Sequence, residues 1–146
     1  MITTSEMLKA WSVLQPNRCK FIPELGPNCF AIYMDGNHHI LHPRNMDPSL
    51  SGVEQCFLVR SVQQAISSSG EYSLEIKTIR KHKFLFQSWV SHDSVDVVGF
   101  AEEDDLSDSL LRAYIQVLEK LQISWEQEAI KNPMFSISSP VSTREY

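Results

Sequence analysis

The chain has 146 residues, 42% of them hydrophobic and 21% charged, with a formal charge of −5. That length suits one domain around one core, and the composition excludes wholesale disorder. The negative balance argues against a nucleic-acid binder held by phosphate neutralisation, and nothing reads as a signal peptide or a bilayer-spanning run, so a cytoplasmic protein is expected.

Thr3 and Glu6 have capping-box spacing, and Met7, Leu8, Trp11 and Leu14 then recur at helical intervals. This predicts a helix to about Gln15, stopped by Pro16. A connector with Pro23, Gly26 and Pro27 follows. The run CFAIYM from Cys29 to Met34 reads as a strand, DGN as a tight turn and HHILH as the returning strand of a hairpin.

The histidines here raise the question of a metal or an acid–base site. If Asp35-Gly36 alone forms the loop, Cys29 lies opposite His42; if Asn37 joins it, Phe30 does, and every side chain of the second strand changes face. His38 and His42 share a face but stand roughly 13 Å apart along one strand, too far for one ion. No third or fourth ligand is evident, so a solvated hairpin strand is preferred over metal binding or catalysis. Cys19, Cys29 and Cys56 are spaced unlike a zinc or disulfide framework and read as reduced thiols, with Cys29 and Cys56 in apolar runs that suggest burial.

Ser51 and Glu54 again have capping-box spacing and open a helix in which Val53, Phe57, Leu58, Val62, Ala65 and Ile66 form an apolar face, closing at SSSG, residues 67–70. YSLEIKTI, Tyr72 to Ile79, alternates strictly and predicts a half-exposed strand that belongs at a sheet edge. FLFQSWV and VDVVGFA complete an antiparallel meander. Cys29 to Met34 and Val95 to Ala101 alternate least and are expected to be central strands. Leu106, Leu110, Leu111, Tyr114, Val117, Leu118 and Leu121 then make a helical stripe after four acids, Glu102 to Asp105, read as helix-start chemistry, and Ser124 and Gln127 are placed to cap a further turn or two to about Lys131. Residues 1–131 form a single α+β domain on this reading, and 132–146 a mobile tail.

The basic turn Arg80 to Lys83 is either solvated charge or a contact for phosphate or an acidic surface. The aromatics Phe84, Phe86, Trp89 and Phe100 are either core or the walls of a ligand pocket. There is no glycine-rich phosphate loop and no nucleophile elbow, so no catalytic residue, metal or cofactor is assigned.

The order helix, hairpin, helix, three-stranded meander, helix resembles the Roadblock family of dynein light chains and GTPase regulators, relatives of the longin fold. The likeness runs from about Met7 to Leu121 and includes the DG turn of the first hairpin. The loop HPRNMDPSLSG and the extension past Gln122 depart from it. The resemblance implies a single five-stranded antiparallel sheet with helices on both faces, α-β-β-α-β-β-β-α and profilin-like. It also implies a non-catalytic scaffold that dimerises through the central helix and an edge strand and engages a small GTPase or a signalling complex. The candidate interface is Phe57, Arg60, Val62 and Ile66 on the helix with Tyr72, Leu74 and Ile76 on the strand, whose free backbone groups are guarded only by Glu75 and Lys77. Two other readings remain open: a PAS-like small-molecule sensor, and a metal- or histidine-dependent enzyme, which needs Cys29 or Asp35 to converge with His42.

Overall fold

The computed structural model describes residues 3–42 and 50–131, the last four as backbone; most of the loop between hairpin and second helix, and the tail expected at 132–146, lie outside the described residues. The first helix, α1 (Thr4–Leu14), starts at the expected capping box, Thr3 with Glu6. It ends where the Gln15 side-chain carbonyl accepts from the Trp11 indole at 2.9 Å and from the Tyr114 hydroxyl at 3.0 Å. Both buried rings thus keep their polar atoms bonded.

Sequence reasoning missed the next element. Cys19–Phe21, inside the presumed connector, is a strand, β1, paired antiparallel with β2 (Phe30–Met34), which pairs in turn with β3 (Asn37–Leu41). Three residues are too few to show an alternation. The hairpin loop is Asp35-Gly36 alone, since Met34 faces Asn37, and both turn residues have positive φ, 54° and 84°, as a type I′ turn requires. The second helix, α2 (Gly52–Ser67), carries its capping box at Ser51 and Glu54 and buries Leu58, Val62 and Ala65. Leu58 and Val62 each contribute about 1.5–3 kcal/mol by leaving water.

The single five-stranded sheet is not formed. The strands divide into two separate three-stranded antiparallel sheets, β1-β2-β3 and β4-β5-β6, with β4 Tyr72–Arg80, β5 Phe84–His92 and β6 Gly99–Glu103. The expected seam, between the strand at Cys29–Met34 and that at Val95–Ala101, is closed from both sides: β1 and β3 take the two edges of β2, and the Gln116 side chain takes the Phe100 backbone of β6. Glu54 accepts from the His42 backbone N–H at 2.6 Å, Gln64 from that of Asp35 at 2.9 Å, and the Ser61 hydroxyl donates to the Tyr33 carbonyl at 2.6 Å. These bonds tie the hairpin to α2. A second expectation also fails: β6 is an edge strand and β5 the central one. Of the apolar run Val95–Ala101, the first four residues stay outside the ladder; Val95 packs on the core from a turn closed by its N–H to the His92 carbonyl.

The last helix, α3 (Leu106–Lys131), runs unbroken through the point where a restart was expected. It lies on the second sheet, on the side of Ser88, Val90, Gly99 and Ala101, all buried there. Ser109 hydrogen-bonds the Ala101 carbonyl at 2.9 Å and the Ser88 hydroxyl at 2.8 Å. Gly99 permits this approach, because a Cβ there would run into the Ala113 carbonyl. Trp11 packs edge-on against Tyr114, and Tyr114 in turn against Tyr72. One hydrophobic cluster joins α1, α2, α3 and both sheets.

Gly99→Ala should therefore destabilise the protein by roughly 3 kcal/mol, because neither backbone has room to yield. Urea unfolding measures it; a loss under 1 kcal/mol would mean that α3 does not sit this close to β6.

Candidate interaction edge

The two open edges of the second sheet differ. On β6, the Gln116 amide of α3 accepts from the Phe100 N–H at 3.0 Å and donates to the Phe100 carbonyl at 2.8 Å. That side chain takes the place of a neighbouring strand. On β4, nine residues long, no hydrogen bond from a described side chain or from backbone outside β5 reaches any main-chain group. The free edge is the longest among the described residues, and it lies beside α2.

Alternation sets the two faces of β4. Tyr72, Leu74 and Ile76 turn inward and pack against the core, whereas Ser73, Glu75 and Lys77 turn out. A groove of about 510 Å³ runs between α2 and β4, lined by Arg60, Gln63, Ile66, Ser67, Tyr72 and Leu74. A second, of about 520 Å³, has Cys56, Val59, Phe86 and Leu106 along it and shares Arg60 and Gln63 with the first. Together they form a trough beside the inward face of the edge.

The seven interface candidates therefore divide. Tyr72, Leu74 and Ile76 lie on the free edge, and Arg60 lies on its rim. Ile66 is 5% exposed and floors the groove. Val62, at 0%, belongs to the core and offers nothing to a partner. Phe57 faces the other way and packs its ring on His39 at 5.2 Å. Sequence reasoning left out Gln63, Gln64 and Gly70, which also line the groove.

Arg60 already has a task at the rim. Its guanidinium donates to both Asp35 oxygens, at 2.9 and 3.1 Å, and Gln64 adds a third bond at 2.5 Å. These bonds, those of Arg60 first, hold the Asp35 carboxyl below the ordinary carboxylate range. The clamp pins a non-glycine residue in left-handed conformation at the hairpin tip.

The remaining candidates resolve as follows. The two-residue loop does bring Cys29 opposite His42, with Sγ and Nδ1 2.9 Å apart. No side chain among the described residues meets the other imidazole nitrogen, and no group of three His, Cys, Asp or Glu comes together there to hold a metal. Cys19 is buried and its thiol pushed up to about 12 by desolvation, whereas Cys56, expected inside, is exposed on α2. The basic turn is matched by the acidic run: Lys81 pairs with Glu102 and Lys83 with Asp104, each at 3.1 Å, while Asp105 accepts from the Asp108 N–H at the start of α3. The four aromatics do not converge on a pocket. Phe84 and Phe86 are on the inward face, and Trp89 and Phe100 pair on the opposite one.

A scan of protein-family models, of curated proteins and of solved structures returns no match to this chain. No helix among the described residues is long and apolar enough to cross a membrane. Function has to be read from the site.

The Asp35 clamp predicts a titration. A depressed folded-state value stabilises the fold above the unfolded value, and that contribution is lost as pH falls through the folded one. Carboxyl NMR should place the Asp35 midpoint below 3.8, moving upward in Arg60→Ala. A midpoint unmoved by that substitution would show that the clamp is not closed in solution.

Proposed function

We propose that the protein is a non-catalytic interaction module whose working part is the edge of β4, and that it binds by adding an extended polypeptide strand there. The observation that carries this is the contrast between the edges: β6 is closed by Gln116, and β4 is left open over nine residues beside a trough. A strand laid on β4 gains main-chain hydrogen bonds along its length, and every second side chain falls towards α2. Natural sheets usually blunt such an edge with charge, a proline or a bulge. Here the guard is one acid and one base, Glu75 and Lys77, which attract as readily as they repel. The small GTPase implied by the Roadblock resemblance rests on a five-stranded sheet and has no weight in this reading.

The test is sedimentation across concentration of the wild type and Ile76→Asp, with circular dichroism to confirm that the variant is folded. The expected result is an association weakened by roughly a hundredfold, since a charge replaces an apolar side chain in the middle of the edge. A folded Ile76→Asp that associates as the wild type does would remove β4 from the contact.

A further inference from the structure

We infer that the strand taken up by β4 is β4 of a second copy, in the one register that places Ile76 on the two-fold axis. This rests on the reading of β4 as the open edge and goes further, naming the partner and the pairing.

Two antiparallel copies of one strand are related by a two-fold axis perpendicular to the sheet. Such an axis leaves each residue on its own face, and directly opposed residues share a face, so the axis must pass through a residue. Charge then selects which one. With the axis at Glu75, that carboxylate meets Glu75 of the partner subunit. With the axis at Lys77, two ammonium groups meet instead. At Leu74 or Thr78 the overlap shrinks to Tyr72–Ile76 or Ile76–Arg80.

At Ile76 all of β4 is paired, and Glu75 stands opposite Lys77 of the partner subunit twice over. Both side chains are available for it: in the single chain they lie 3.9 Å apart, 63% and 59% exposed, with Lys77 resting over the Trp89 ring. On the inward face Ile76 meets Ile76 of the partner subunit, and Leu74 meets Thr78 of the partner subunit, beside the trough under α2. At the ends Tyr72 meets Arg80 of the partner subunit, a ring against a guanidinium. The two sheets become one of six strands, whose outer edges are the β6 strands closed by Gln116. Because the contact is two-fold, each copy uses its β4 once and the pairing closes at two copies.

The experiment is sedimentation equilibrium of Glu75→Lys, of Lys77→Glu, of the double variant, and of the two single variants mixed one to one, beside the wild type and Ile76→Asp. Each single reversal turns two cross-strand attractions into repulsions and should raise the dimer dissociation constant roughly ten- to a hundredfold. The double variant should return to the wild-type value. The mixture should form a heterodimer stronger than either homodimer, a result that loss of folding cannot produce. A wild-type dimer broken by Ile76→Asp but indifferent to the charge reversals would overturn the register and leave the edge reading standing. A wild type that stays monomeric at millimolar concentration would overturn self-pairing and leave β4 to another polypeptide. A dimer untouched by any of these changes would overturn both.

Discussion

The fold depends on how closely α3 lies on the second sheet. Gly99 lets the helix backbone down to the strand, and Ser109 then bridges Ser88 and the Ala101 carbonyl inside the core. A larger residue at 99 would lift the helix and strand those hydroxyls without partners, at a cost of about 1–3 kcal/mol for each buried group left unsatisfied. The same approach brings Gln116 within reach of the Phe100 backbone, so the contact that organises the core also closes one edge of the sheet. The other edge stays open because nothing comparable among the described residues stands beside it. Openness of β4 is thus a by-product of where α3 is anchored.

From α3 the rest is assembled outward. Tyr114 receives Trp11 of α1 on one side and Tyr72 of β4 on another, and the first sheet is carried by the other two helices. Its attachment is polar as well as apolar: the Cys19 thiol reaches the Leu8 carbonyl, and Glu54, Arg60, Ser61 and Gln64 take up groups of the hairpin. At the far end of the β4–β5 pair, His92 has both ring nitrogens occupied, Nδ1 by the Ser94 N–H and Nε2 by Glu71. At the near end, the basic tip is tied to the acidic run. Both ends of the open edge are fixed before any partner arrives, which lowers the ordering entropy that binding has to overcome.

Much of this was legible in the sequence where the signal is local. Capping boxes at Thr3 and Ser51 placed two helix starts, and the alternation of Tyr72–Ile79 described a half-exposed strand. The Asp35-Gly36 loop held the answer to the histidine question, since only the two-residue turn sets Cys29 against His42. Long-range choices were not legible. Whether the hairpin joins the last strand of the meander was decided by β1, three residues inside the connector, and by Gln116 of α3, neither of which announces itself in the sequence. Phe57 and Val62 lie on the same apolar stripe as Ile66, but only the packing of α2 tells which of the three borders the edge. Gln116 lies on the polar side of its helix and becomes a strand mimic only because Gly99 is small. The run Val95–Val98 resembled a buried strand, yet only Val95 packs on the core, from a turn, and Val98 is exposed. Composition here records neither burial nor pairing.

The claim at the centre of this account is that β4 is an open edge and β6 a closed one. Native-state hydrogen exchange, resolved by residue and followed as a function of protein concentration, tests it most directly. The Phe100 amide should be protected at every concentration. The amides of β4 not bonded to β5 should exchange freely when dilute and become protected as the concentration rises. Protection of the whole of β4 at the lowest concentration, with a freely exchanging Phe100, would contradict it.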